Sequence, residues 1–107
     1  AAVRMAQPDL DYIRQLDGDG LIITAAGDSS DCASRYFAPN SGIDEDPVTG
    51  SAHCTIASYW AEQLGKTVLA ARQVSKRGGD IRCELAGDRV LISGHACLYS
   101  SGQLASI

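Results

Sequence analysis

The stretch DEDPVTGSAHC, residues 44–54, gathers Asp44, Glu45 and Asp46, then Pro47, Thr49, Gly50 and Ser51, directly before apolar, helix-compatible sequence. A helix start leaves backbone N–H groups without intrahelical partners and carries the positive end of the helix dipole, so it is a ready site for an anion. Gly50 lets a ligand's carboxylate approach the backbone amides there, Ala52 included. Thr49 and Ser51 add hydroxyls that serve as caps or as ligand contacts. Asp46, just upstream, is placed to take or give a proton beside such an anion.

Each of these residues also has a plainer role. Asp46 followed by Pro47 is an ordinary N-cap with proline at the first helical position, and capping motifs far outnumber active sites. Asp44 and Glu45 read most simply as solvated loop charges. His53, in the first turn, is read as a packed or capping histidine, because the helix dipole disfavours its charged form. Cys54 sits where a helix end can depress a thiol pKa, yet its apolar context favours core packing. Arg77, followed by Gly78 and Gly79, either brings a cation and accessible backbone to a substrate carboxylate or makes a strand-entry turn. His95 has no partner that the sequence identifies.

These residues must be positioned by a small frame. The chain has 107 residues, 45% hydrophobic and 21% charged, which suits one folded domain whose apolar surface a partner subunit would help to cover. The net charge of −4, with acids gathered in residues 9–19 and 44–46, gives no basic stripe for nucleic acid. No apolar run is long enough to span a membrane and no leader pattern opens the chain, so a cytoplasmic location is expected. Cys32, Cys54, Cys83 and Cys97 are widely spaced among apolar neighbours; all four are expected reduced and buried, with no close pair for a metal.

The pattern predicts a short amphipathic helix in QPDLDYIRQL, with Pro8 at its first position and Leu10, Ile13 and Leu16 on one face. Strands follow in LIITAAG and in SSDCASRYF, and APNSGIDEDP reads as an irregular loop. From Gly50 to Leu64, Ile56, Trp60 and Leu64 recur every four residues, with Ala52, Ala57 and Ala61 widening the face. This predicts a central helix surrounded by protein and stopped by Gly65. TVLAARQV, RGGDIRCEL, RVLISG and HACLYSSGQL then read as short strands of a meander. The expected fold is α+β, a curved, mainly antiparallel sheet wrapped around one helix.

Two segments, SRYFAPNSGIDEDPVTGSAHCTIASYWAEQLGK and ARQVSKRGGDIRCELAGDRVLISGHA, resemble the C-terminal lobe of the phenazine-biosynthesis PhzF-like isomerase family over about residues 20–104. EDPVTGSAH is the most specific part. The resemblance implies a half of the diaminopimelate-epimerase-like fold, in which two similar lobes place the active site between facing helix entrances. It implies isomerisation or epimerisation of a small carboxylated substrate by proton transfer, without metal or organic cofactor. It places the family's aspartate and serine on Asp46 and Ser51, with Gly50 among the amides of the anion pocket.

Where related epimerases and racemases carry a catalytic cysteine, this chain has Thr49, which disfavours a two-thiol mechanism. Residues 1–107 are expected to form a single domain equivalent to most of that lobe, with the N-terminal lobe, its acid/base glutamate and the opening strand or two of the second lobe absent. One reading is therefore an isomerase-type domain whose site is rebuilt by homodimerisation, Asp46 acting as acid/base, Ser51 and Gly50 as anion cradle. In that reading residues 1–16 or exposed sheet edges mediate self-association. The other is a non-catalytic domain that binds a small carboxylate or serves in assembly. Both involve Thr49, Gly50, Ser51, Ala52, Arg77 and Gly78 as ligand contacts, and whether this chain turns over a substrate stays open.

Overall fold

The computed structural model describes residues 1–106. Six strands form, β1 (Leu21–Ala26), β2 (Cys32–Ala38), β3 (Ile43–Asp46), β4 (Val68–Gln73), β5 (Gly79–Ala86) and β6 (Arg89–Ser93), with buried and less buried residues alternating most clearly along β4 and β5. They form one sheet in the order β1-β2-β4-β5-β6, with β3 pairing β2 beside β4. Every pairing is antiparallel except β2 with β4, which are joined through the central helix α3 (Ala52–Leu64) and run parallel. This is the expected α+β half, one helix against a mainly antiparallel sheet.

The helix buries one face: Ala52, Ile56, Ala57 and Ala61 pack with Cys32, Leu69, Ala71, Ile81 and Cys83 from the sheet. Trp60 adds a polar tie, its Nε1–H donating to Thr24 Oγ1 of β1 at 2.9 Å. Gly65 ends the helix in left-handed backbone at φ 64°, where a residue with a Cβ would be strained. The opposite face carries Cys54, Thr55, Ser58 and Tyr59 and is exposed, so the helix is not surrounded among the described residues. An alanine-rich stripe widens an apolar face without closing it, and the four-residue spacing of Ile56 and Trp60 marks the buried side alone.

Several boundaries differ from the pattern-based expectation. Residues 39–46 are ordered, as a 3-10 turn over Pro39–Ser41 and then β3, whose Asp46 and Ile43 pair with Tyr36 and Ala38. Its polar sequence IDED gives no strand periodicity. Pro8 precedes the short helix α2 (Leu10–Arg14) and is not its first residue; Asp9 is the cap, its carboxylate accepting the Tyr12 N–H at 3.0 Å. A further turn of helix, α1 (Ala2–Met5), lies ahead of it. Val3 and Ile13 are buried and anchor the two short helices on β1 and β2, while most of residues 1–16 stay exposed.

HACLYSSGQL is not a strand: residues 94–106 follow β6 without regular structure, and Leu98 and Tyr99 are exposed. Alternation supplies side-chain placement, but a strand also needs a ladder partner. The cysteines divide, Cys32 and Cys83 buried, Cys54 and Cys97 exposed, all four as free thiols. Cys54 lies one position past His53 on α3 and so turns off the buried face, while Cys97 has no core to enter.

Arg35 of β2 fastens the periphery. Its Nε and Nη2 donate to the Glu45 carboxylate at 2.7 and 3.0 Å, and its Nη1 donates to the carbonyls of Val3 and Ala6 at 3.2 and 2.7 Å. Glu45 is thus a structural partner and not a solvated loop charge, and it keeps the Arg35 guanidinium firmly protonated.

Candidate functional site

Two strands meet end to end along one edge of β2. β4 runs parallel to β2 and finishes with Gln73 opposite Ser34, while β3 runs antiparallel and finishes with Asp46 opposite Tyr36. Their C-terminal ends therefore converge within two residues of each other on the shared neighbour. The turn from Asp46 to Ser51 leaves that junction and enters α3, so the sheet itself sets the position of the helix entrance.

Polar side chains lock this turn. Thr49 Oγ1 donates to Asp46 Oδ2, and the Thr49 N–H donates to Gln73 Oε1 at 2.7 Å. Gln73 Nε2 donates to the Asp46 carbonyl at 2.8 Å and to Thr49 Oγ1 at 3.1 Å. One register step on, Ser75 Oγ donates to the Pro47 carbonyl at 2.7 Å and accepts the Gly78 N–H at 2.9 Å. A Cβ on Gly79 would collide with Val48, so only glycine lets the 75–79 loop lie this close to the turn.

The capping role read for Asp46 is not the one it plays. The helix begins at Ala52 with Ser51 as its cap residue, and the Asp46 carboxylate closes the preceding turn through Thr49. Ser51 has helical backbone angles and makes no side-chain capping bond, which leaves an exposed hydroxyl at the mouth. Behind it, the His53 and Cys54 amides donate to the carbonyls of Gly50 and Ser51 at 3.0 and 3.2 Å. The amides of Gly50, Ser51 and Ala52 find no acceptor among the described residues. Space in front of Gly50 is open, since an added Cβ there would meet nothing.

His53 is packed, as its position predicts. It is fully buried, and its Nδ1 lies 2.6 Å from the Thr49 carbonyl, which can only accept, so Nδ1 carries the proton. Its Nε2 is then a buried acceptor without a donor. Burial lowers the pKa of the ring, with the bond to Thr49 opposing that shift. The histidine supports the turn from beneath and does not face the entrance.

Arg77 lies at a neighbouring cleft that none of Gly50, Ser51 and Ala52 lines. With Glu45, Pro47, Ser75 and Lys76 it lines this cleft, of about 520 Å³, beside the Asp46–Pro47 turn, and it is exposed without an ion pair among the described residues. Gly78 contributes differently than expected, because its amide is already taken by Ser75. Ala52 has its methyl in the core, leaving only its amide for a ligand. His95 lines a separate groove with Asp80 and Arg82, remote in composition from the α3 entrance.

Gln73 and Ser75 are the residues that sequence reasoning missed. Along LAARQVS, positions 69, 71, 73 and 75 share one side of the strand and all four are buried. Polar residues continuing a buried apolar face are the signal that was available.

A family profile described as phenazine biosynthesis-like protein matches residues 1–102, taking in the N-terminal helical segment as well as the sheet. The chain belongs to the phenazine biosynthesis-like (PhzF) family. Among its relatives, an uncharacterized isomerase of Pseudomonas aeruginosa is 52% identical over 103 residues, 96% of this chain and 40% of the relative. A phenazine biosynthesis-like domain-containing protein of Homo sapiens is 46% identical over 94 residues, 81% of this chain and 33% of the relative. The crystal structure of a PhzF-family protein from Enterococcus faecalis superimposes with a TM-score of 0.86 at 47% identity, covering 92% of this chain and 38% of that one. The chain thus spans about a third to two fifths of the length of these relatives. Its sheet and helix are one half of the epimerase-like architecture of PhzF proteins.

Proposed function

We propose that the α3 entrance is a half-site for isomerase-type proton transfer on a small carboxylated molecule. The observation that carries this reading is the pairing of a fixed carboxylate with unclaimed donors: Asp46 is held by Thr49 beside the open amides of Gly50, Ser51 and Ala52 and the free Ser51 hydroxyl. In this reading the amides and Ser51 bind the substrate carboxylate at the positive end of the helix, and Arg77 supplies a countercharge across the cleft. Asp46, with Oδ2 engaged by Thr49, exchanges a proton with the adjacent carbon through its other oxygen. The chemistry needs no metal and no organic cofactor.

Epimerisation or isomerisation takes a proton from one position and returns it at another, so a second acid/base must face Asp46. Residues 1–107, read as most of the C-terminal lobe of a PhzF protein, supply one such group at this entrance. A second copy placing its own entrance opposite would supply the other. The isomerase name of the Pseudomonas aeruginosa relative supports the reaction class.

Amide NMR spectra recorded while alanine or lactate is added test the binding part. The resonances of Gly50, Ser51 and Ala52 are expected to move together and to saturate, and Ser51→Ala is expected to weaken binding by about tenfold to a hundredfold, the value of one hydrogen bond to a charged group. Uniform small shifts across the surface, equal in both proteins, would overturn it.

A further inference from the structure

Gln73 is the one group that touches both ends of the Asp46–Thr49 turn, and it is almost fully buried. The direction of its bonds follows from chemistry alone. The Thr49 N–H can only donate, so the oxygen of the Gln73 carboxamide must face it and the nitrogen must face the other way. That nitrogen has two hydrogens and two acceptors in reach, the Asp46 carbonyl and Thr49 Oγ1. Thr49 Oγ1, once it accepts from Gln73, has its own proton to place, and its remaining neighbour is Asp46 Oδ2.

We propose that Gln73 is a positioning residue for proton transfer: by donating to the Thr49 hydroxyl it holds that oxygen with its proton toward the ionised Asp46 carboxylate, engaging Oδ2 and leaving Oδ1 to work on the substrate. This rests on the half-site reading above. The chain Gln73 to Thr49 to Asp46 has one allowed sense when Asp46 is ionised, because the amide nitrogen at one end only donates and the carboxylate at the other only accepts. An Asp46 side chain without this restraint could turn either oxygen to the substrate. Buried, fully paired chains of this kind hold a reacting group in one geometry.

Two measurements separate this proposal from the reading on which it rests. The first needs no turnover: proton–deuterium exchange of the Gln73 side-chain amide, followed by NMR in the 107-residue chain. Both protons are expected to be protected in the wild type, and Thr49→Val is expected to expose one and spare the other. Rapid exchange of both protons in the folded wild type, or no response to Thr49→Val, would overturn the proposal even if the protein exchanges substrate protons.

The second is deuterium incorporation into alanine and lactate. Gln73→Glu keeps an acceptor for the Thr49 N–H but loses both donors, so it is expected to slow incorporation by about tenfold or more while binding changes less than about threefold. Thr49→Val should slow it equally, the double variant no further, and Thr49→Ser should restore the rate. A purely structural glutamine would instead weaken binding and rate together in Gln73→Glu and give additive losses, which would count against it. Absence of incorporation in the wild type would bring down the proton-transfer reading, and the amide-protection result would still decide the direction of the chain.

Discussion

The Thr49 side chain reaches forward to Asp46 while its amide reaches down to Gln73 and its carbonyl to His53, so one buried residue ties the acid/base candidate to both the sheet and the helix. His53 makes that support sensitive to pH. Its pKa is lowered in the fold from the ordinary 6.5, chiefly by burial, so below that value the unfolded chain binds a proton that the folded one resists. Stability is therefore expected to be full above about pH 6.5 and to fall as the pH drops from there toward the depressed folded value. Thermal melts between pH 7.5 and 5 should show this slope, and His53→Gln, which keeps a donor for the Thr49 carbonyl, should flatten it; an unchanged slope would refute the assignment. The residue types in DPVTGSAH were enough to mark Asp46, Gly50 and Ser51 as a constellation at a helix entrance. They could not distinguish a cap from a turn closure, because an Asp-Pro pair suits both and the choice depends on Gln73, which lies on a strand formed later in the chain.

The helix α3 and the strands β2, β4 and β5 were readable because each buries a recurring face, and β1 and β6 from short apolar runs bounded by turns, with Gly65 marking the helix end in left-handed backbone. What escaped was set by partners and not by pattern. β3 exists because β2 has an unpaired stretch beyond Ser34, and residues 94–106 stay irregular because alternation found no ladder. The cysteines give this a direct test. Cys32 is buried beside Cys83 with its thiol pushed up to about 11, and burial raises Cys83 as well, whereas Cys54 and Cys97 are exposed. A thiol reagent at pH 8 should label two cysteines per folded chain at once, identified by peptide mapping as 54 and 97, and the other two only after denaturant is added. Rapid labelling of Cys32 or Cys83 would contradict the packing of α3 on the sheet.

As a whole the chain is one half of a PhzF architecture, with β1 and β6 as the two ends of its sheet and apolar side chains exposed at Leu91 and Ile92 of β6 and at Leu98 and Tyr99 in the segment after it. No helix among the described residues is long and apolar enough to cross a membrane. Such edges and apolar positions are suited to covering by another lobe or a second copy, and a proton-transfer site with Asp46 on one wall requires a facing wall. Deuterium incorporation from heavy water into the α-carbon of alanine and lactate tests this most directly, measured side by side for the wild type and Asp46→Asn across a range of protein concentrations. The account predicts incorporation by the wild type that rises more steeply than linearly with concentration as copies pair, and none above background for Asp46→Asn. Equal incorporation by both proteins, or none by the wild type at any concentration, would contradict it.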